Sequence, residues 1–488
     1  MSDLNIITKP QPDLNAMRSN EVRGKRGIRV SSPGVPLRSR RLLIAIILVA
    51  APIALLLVAA PDALLPFSPA AAQVQTDPRV GYNAALVVPD RIEEIPNVTP
   101  ESDKFPELDN FAWRAFVALN WPSLTDSAQR GVPDRAKKLG DSGPRVWETF
   151  KARYELFQTG PDGPVAPQPW ATYDAVIPCG ADVNGSAKTL ATFEPFMDFN
   201  QFASAGAANP LVAQNRTYTR YETRLNELEY SALSGWSDGL TLPNDEHPLR
   251  LPAGSIAVKA AWRLLTAADT PAVRARYYVV ENANVVDVAK TLAARRVVCS
   301  KSDIAMVGLH LVIRTPRRPQ GLWATFEHVD NVPRAGAYEP DAKDEGAPYS
   351  YFNASKPKLG LWPQFGSPGT FPVSLDRPPK INPEPNQVVR RQPIHLSTLA
   401  MNRYYWSLKG IKGTVWGHYM LVAVQWPSHA LPVDPYNDGV FFPEARKENL
   451  ANTTMETYFQ NPPSSCMSCH QNFNVRGRDF VGILGSFR

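Results

Sequence analysis

The sequence predicts an α+β protein whose body is a mainly antiparallel sheet or sandwich with short helices, ending in a C-terminal helical segment. Three observations lead there. Proline supplies 47 of 488 residues, about twice the usual share of roughly 5%. Each interior proline costs a helix one hydrogen bond and adds a clash, which argues against a long-helix bundle. Five apolar stretches read as strands, and no regular helices separate them, as a parallel sheet with crossover helices would require.

Taken in order, the chain opens with a basic leader, residues 1–41, holding nine Lys/Arg against three Asp/Glu. That difference equals the whole formal net charge of +6, and from Leu42 onward the counts balance at 43 each. A neutral body leaves no electrostatic footprint for DNA or RNA, so nucleic-acid partners are excluded. Leu42 to Ala60 then runs without a charge, long enough to span a bilayer. Basic residues ahead of it hold that side in the cytosol, so the remainder is expected in the periplasm or another extracytoplasmic space. Ala70-Ala71-Ala72 offers an A-x-A cleavage site, so residues 42–73 read as a signal peptide or as an uncleaved anchor to the inner membrane. Ser39-Arg40-Arg41-Leu42-Leu43 approaches a twin-arginine signal without completing the case for one.

Residues 74–105, rich in proline and polar side chains, read as a linker into a body spanning 106–445. Asp109-Asn110 is expected to cap a helix through Phe111–Leu119 that stops before Pro122. Val146–Lys151 begins a short element, and 160–215 reads as loops or an insertion. Leu, Tyr and Glu at helical spacing predict a helix over Arg216–Leu233. The five strands follow at Ile256–Leu264, Arg274–Val280, Ile304–Ile313, Leu322–Val329 and His418–Trp426, with Arg317–Gly321 as a turn. Arg446–Gln460 is expected to be helical until Pro462-Pro463 breaks it, at the start of a C-terminal segment, 446–488.

That segment carries the sharpest signal, Cys466-Met467-Ser468-Cys469-His470. C-x-x-C-H is the attachment signature of c-type haem. Two thiols at this spacing can each form a thioether to a haem vinyl group, and the adjacent imidazole reaches the iron as its proximal ligand. A redox-active C-x-x-C or half of a zinc site are the competing readings; no second C-x-x-C or paired histidines complete a zinc tetrad. One covalently attached haem c is therefore the expected cofactor. Export leaves Cys179 and Cys299 either as a disulfide or as buried free thiols.

Only 18 residues follow His470, and they contain neither Met nor His. A sixth iron ligand must come from upstream, from another chain, or be absent, and this choice separates an electron carrier from an open catalytic site. His310 in its apolar run is the first candidate for the distal ligand, ahead of His328, His418 with Met420, and Met455; each also reads as ordinary packing. His247, His395 and His429 sit in loop-like surroundings. Arg476 and Arg478 are candidates to neutralise the haem propionates.

The blocks FAWRAFVALNWP, VWETFK, GLHLVIRTP, LWATFEHVDNVP and NTTMETYFQ before SCMSCH resemble those of a family of large, exported, cytochrome-c-like bacterial proteins with a single C-terminal C-x-x-C-H motif. The resemblance runs from Phe111 to the C-terminus. It implies haem attachment at Cys466 and Cys469 and ligation by His470, and it supplies no substrate. The expected function is electron transfer in the periplasm or at its membrane face, with a redox protein or a small electron donor or acceptor as partner. A body of this size also allows a peroxidase-like, haem-dependent oxidoreductase with an open iron site, or a haem-based sensor. Nucleophile elbows, zinc-protease helices and paired-carboxylate motifs are missing from the sequence.

Overall fold

The computed structural model describes residues 105–126, 129–156, 158–160, 163–172, 189–190, 211–236, 247–295, 298–315, 318–333, 348–353, 355, 381–426, 451–457, 460, 466–467, 470, 479 and 481. All of these belong to one unit, Ala71–Arg488. The leader, the apolar run and nearly all of the linker lie outside them. Among the described residues no helix is long and apolar enough to cross a membrane.

Helix α1 (Phe105–Leu119) begins ahead of the expected cap, so Asp109 and Asn110 fall inside it. They make buried tertiary hydrogen bonds instead. Thr398 Oγ1 donates to Asp109 Oδ2 at 2.8 Å, and the Tyr405 hydroxyl donates to Asn110 Oδ1 at 2.6 Å. A 3-10 turn, Val146–Thr149, leads into β1 (Lys151–Ala152) and α2 (Arg153–Leu156). Strands β2 (Gln158–Gly160) and β3 (Gly163–Val165) form a hairpin, and β4 (Thr189–Leu190) follows.

The helix expected over Arg216–Leu233 is instead a strand and a helix, β5 (Arg220–Leu225) and α3 (Glu227–Ser234). Helical spacing is overridden because pairing with the next strand buries both faces of β5 and satisfies its charges internally. Arg224 Nε donates to Glu222 Oε2 at 2.9 Å, and Trp262 Nε1 donates to Glu222 Oε1 at 2.9 Å. Asn226 then caps α3, accepting from the Glu229 amide.

Strand β6 (Ile256–Leu264) has the expected bounds. The strand expected from Arg274 starts later: α4 (Pro271–Arg274) precedes β7 (Val279–Val286) because Thr270 caps a turn with proline at its start. After α5 (Val288–Ala294) come β8 (Cys299–Thr315) and β9 (Arg318–His328). Arg318, Pro319 and Gln320, expected in a turn, already belong to β9, with Arg318 paired opposite Thr315. Helix α6 (Leu396–Ser407), a 3-10 turn at Val415–His418 and β10 (Tyr419–Gln425) complete the body.

Among the described residues, all strands but the β2–β3 hairpin form one eight-stranded sheet rather than a sandwich of two. Its order is β1-β5-β6-β8-β7-β4, with β9 also paired to β8 and β10 paired to β9. Pairing is antiparallel except for β4 on β7. β8 is long enough to hold two neighbours end to end along one edge, β7 beside its first half and β9 beside its second.

The register on β6 shifts where Trp262 faces Met306 and Ala261 faces Gly308, leaving Val307 as an inserted residue. The bulge keeps Ile304, Met306, Leu309, Leu311 and Ile313 in one apolar cluster despite the break in alternation. Helices α1 and α6 cover that face. Trp113 of α1 stacks on Tyr405 of α6 at 4.8 Å, and Phe116 stacks on Phe326 of β9 at 4.3 Å. Asn402 of α6 closes the layer by exchanging hydrogen bonds with the backbone of Leu421 in β10, both at 2.9 Å. The opposite face, with Ala305, Val307, Gly308, His310, Val312 and Arg314, is where the C-terminal segment lies.

Candidate functional site

Residues directly opposite in an antiparallel ladder share a face. Gly308 faces Glu327, His310 faces Thr325, and Val312 faces Trp323. On the far side of β9, Gln425 of β10 also faces Trp323. The described C-terminal residues meet this face in the order of β8. Thr454 lies over Gly308, so close that a Cβ there would meet its Oγ1. Glu456 Oε2 is 3.3 Å from His310 Nε2. Cys466 and Met467 pack against Val312 and Trp323. Asp479 Oδ1 accepts from Arg314 Nη1 at 3.1 Å.

The expected helix over Arg446–Gln460 is absent from its described part: residues 451–457 form turns. Asn452 and Thr454 bond locally in place of a helical ladder, a competition these side chains often win. Asn452 Oδ1 accepts from the Thr454 amide at 2.9 Å and from its hydroxyl at 2.7 Å, while Asn452 Nδ2 donates to Thr325 Oγ1 at 2.9 Å and Phe326 O at 2.8 Å. Thr453 donates through its amide, at 2.8 Å, and its hydroxyl, at 2.9 Å, to Glu327 Oε2. Arg390 pairs with the other oxygen of Glu327 and donates to Ala451 O at 3.2 Å. Burial pulls the Arg390 guanidinium down to about 9. Burial alone would raise the Glu456 carboxyl, yet His310, Lys259 and the Asn452 amide hold it below its ordinary value.

Cys466, Met467 and His470 have helical backbone. Cys466 and His470 are four residues apart, so their side chains rise from one helix face. Cys466 and His470 are both half-buried. The His470 ring lies 4.6 Å from the Trp323 ring, tilted by 55°. Met467 is buried, and its amide donates to Gln425 Oε1 at 2.9 Å. Among the described residues Cys466 and His470 could hold a covalently attached haem, one through sulfur and one through iron. No group of three or more His, Cys, Asp or Glu that could hold a metal ion occurs among the described residues.

The other candidates separate by register. His328 lies five residues from Trp323 along β9, about 16 Å at strand rise. It is stacked on Tyr277 at 3.8 Å, with Nε2 against Arg276 O at 3.0 Å and Nδ1 accepting from the Asp330 amide at 3.1 Å. Burial holds its pKa down at about 3, so it is a neutral core histidine. The Asp330 carboxylate pairs with Arg276, at 2.6 and 3.1 Å, and stands 3.9 Å from His328 Nδ1.

His418 precedes β10 at the end opposite Gln425, and Met420 and Met455 are buried in apolar clusters. His247 is exposed, and exposed His395 caps α6. His310 alone of the described histidines upstream of the motif shares the face on which the motif lies, two residues along β8 from Val312.

Cys469, Arg476, Arg478 and His429 lie outside the described residues. Cys299 is disulfide-bonded, to a partner outside the described residues. Sequence reasoning missed Trp323, Gln425 and Val312. Alternation in Leu322–Val329 separates Trp323 from Phe326 by face, but pairing register is needed to bring Trp323 beside Gln425. Comparison with protein-family models finds no match to this chain, and neither curated proteins nor solved structures give one.

Proposed function

We propose that the protein is an exported mono-haem c-type cytochrome that transfers electrons in the periplasm or at its membrane face. The observation carrying this reading is that Cys466 and His470, both helical in backbone and four residues apart, lie against the β8–β9–β10 face. The bound haem would supply one-electron iron chemistry. The chain's own residues would attach it through Cys466 and Cys469, ligate it through His470, and shield its proximal side with Trp323. The disulfide at Cys299 supports an oxidising compartment, in keeping with the basic leader and apolar run. Arg476 and Arg478 follow the motif closely enough to neutralise propionates.

His310 is the best-supported distal ligand, because it is the described upstream histidine nearest to the motif by register. One observation favours the second reading, a peroxidase-like oxidoreductase with an open iron position. His310 Nε2 already faces Glu456 at 3.3 Å and would have to leave it to reach iron.

The visible spectrum of the exported protein, ferric and ferrous, with and without carbon monoxide, distinguishes the two. Low-spin iron that ignores the gas, and turns high-spin in His310→Ala, supports the carrier with His310 as ligand. High-spin iron that binds carbon monoxide in the native chain, unchanged by His310→Ala, supports the open site.

A further inference from the structure

We propose that Trp323 and Gln425 are positioning residues for the proximal imidazole, forming a rigid seat that fixes how His470 presents its ring to iron. The inference rests on the haem reading above and assigns the seat to the sheet rather than to the haem segment.

Three features distinguish this seat from general packing. First, Val312, Trp323 and Gln425 stand directly opposite one another on three hydrogen-bonded strands. A platform fixed by two ladders holds its side chains more tightly than a loop does. Second, the indole is fixed by its own strand. Trp323 Nε1 donates to Gln320 O at 3.0 Å, so the ring needs nothing from the C-terminal segment to keep its orientation. Gly321, at φ 88°, makes room for this: a Cβ there would stand 3.2 Å from Val312 Cγ1 and 3.4 Å from Trp323 Nε1.

Third, Gln425 is fully buried and gives its carbonyl oxygen to the Met467 amide at 2.9 Å. Gln425 therefore sets the height and rotation of the turn that carries Cys466 and His470, and Trp323 limits the swing of the imidazole. Their small cluster of Trp323 and Met467, with Val312 and Cys466 against it, is distinct from the main core, so altering it leaves the α1–α6 layer intact.

The test uses the full exported chain with Trp323→Leu and Gln425→Leu, and with Trp323→Phe and Gln425→Glu as conservative counterparts. A haem-stained denaturing gel is read first; a haem-free native chain would overturn the underlying reading and the inference with it. On haem-loaded protein, acid titration of the visible spectrum follows release of the axial imidazole. The expected result is normal haem content in every variant. Release should move up by about one pH unit, tenfold in proton competition, in the two leucine variants, and stay near native in Trp323→Phe and Gln425→Glu. A lowered thermal midpoint with an unmoved acid transition in both leucine variants would overturn the proposal and leave a packing role. If Trp323→Leu does not fold, the Gln425 pair decides by the same criterion.

Discussion

At the residue scale, the charges buried beside the C-terminal segment make stability depend on pH. Asp479 pairs with Arg314 and accepts from the Leu251 amide at 2.8 Å. Glu229 is buried in the same neighbourhood, and burial pushes it from 4.5 up to about 7, against the pull of Arg314 and with the push of Asp479. Below pH 4.5 this acid is protonated whether the chain is folded or unfolded. Between 4.5 and about 7, the unfolded chain releases a proton that the folded chain keeps, so stability falls as pH rises through that window. Burial likewise raises Asp479, adding to the same slope. Replacing Glu229 by Gln should flatten the decline, read as thermal midpoints at about pH 5 and pH 7.5; an identical slope in the variant would assign it elsewhere. His328 acts on the acid side. Held near 3 against an ordinary 6.5, it lets the unfolded chain take up a proton first as pH falls below 6.5, and stability is lost toward pH 3.

At the element scale, β8 organises both layers, because its bulge at Val307 sorts apolar residues to one face and Gly308, His310, Val312 and Arg314 to the other. Four of the five stretches read as strands lie in strands of the sheet, with β8 and β9 starting earlier than expected, while of Arg274–Val280 only Val279 and Val280 are in a strand, β7. The misread elements share a cause. Arg216–Leu233 and Arg446–Gln460 have helical spacing, but β5 is held by pairing to β6, and 451–457 by Asn and Thr side chains that bond to turns and to β9. Such partners are distant in sequence and leave no local pattern. Asn452→Ala should remove the anchor at Thr325 and Phe326 and cost about 1–3 kcal/mol, the range for leaving buried groups unpaired. Limited proteolysis should then cut near Ala451 while the body resists; uniform digestion of the whole chain would contradict this division.

At the scale of the molecule, a broad sheet carries its main apolar core on one face and the candidate haem segment on the other. The main core holds no described residue from the C-terminal segment, so the body should fold without haem. Cys466→Ala with Cys469→Ala is expected to keep the native far-ultraviolet circular dichroism and lose about 1–2 °C of thermal midpoint, on the order of 1 kcal/mol for a chain of this size. Of the candidate site, Cys466 and His470 were legible because C-x-x-C-H is a spacing that covalent haem would require. Trp323 and Gln425 were not, because their meeting depends on strand register, and so does the separation of His328 and His418, which lie at the end of β9 and β10 away from Trp323 and Gln425.

The central claim is covalent haem on this C-terminal turn, and haem staining of the exported native chain and the double alanine variant after denaturing electrophoresis tests it most directly. The account predicts one stained band at the native chain's mass and none for the variant. A native chain without stain, or a variant that retains it, would contradict the account.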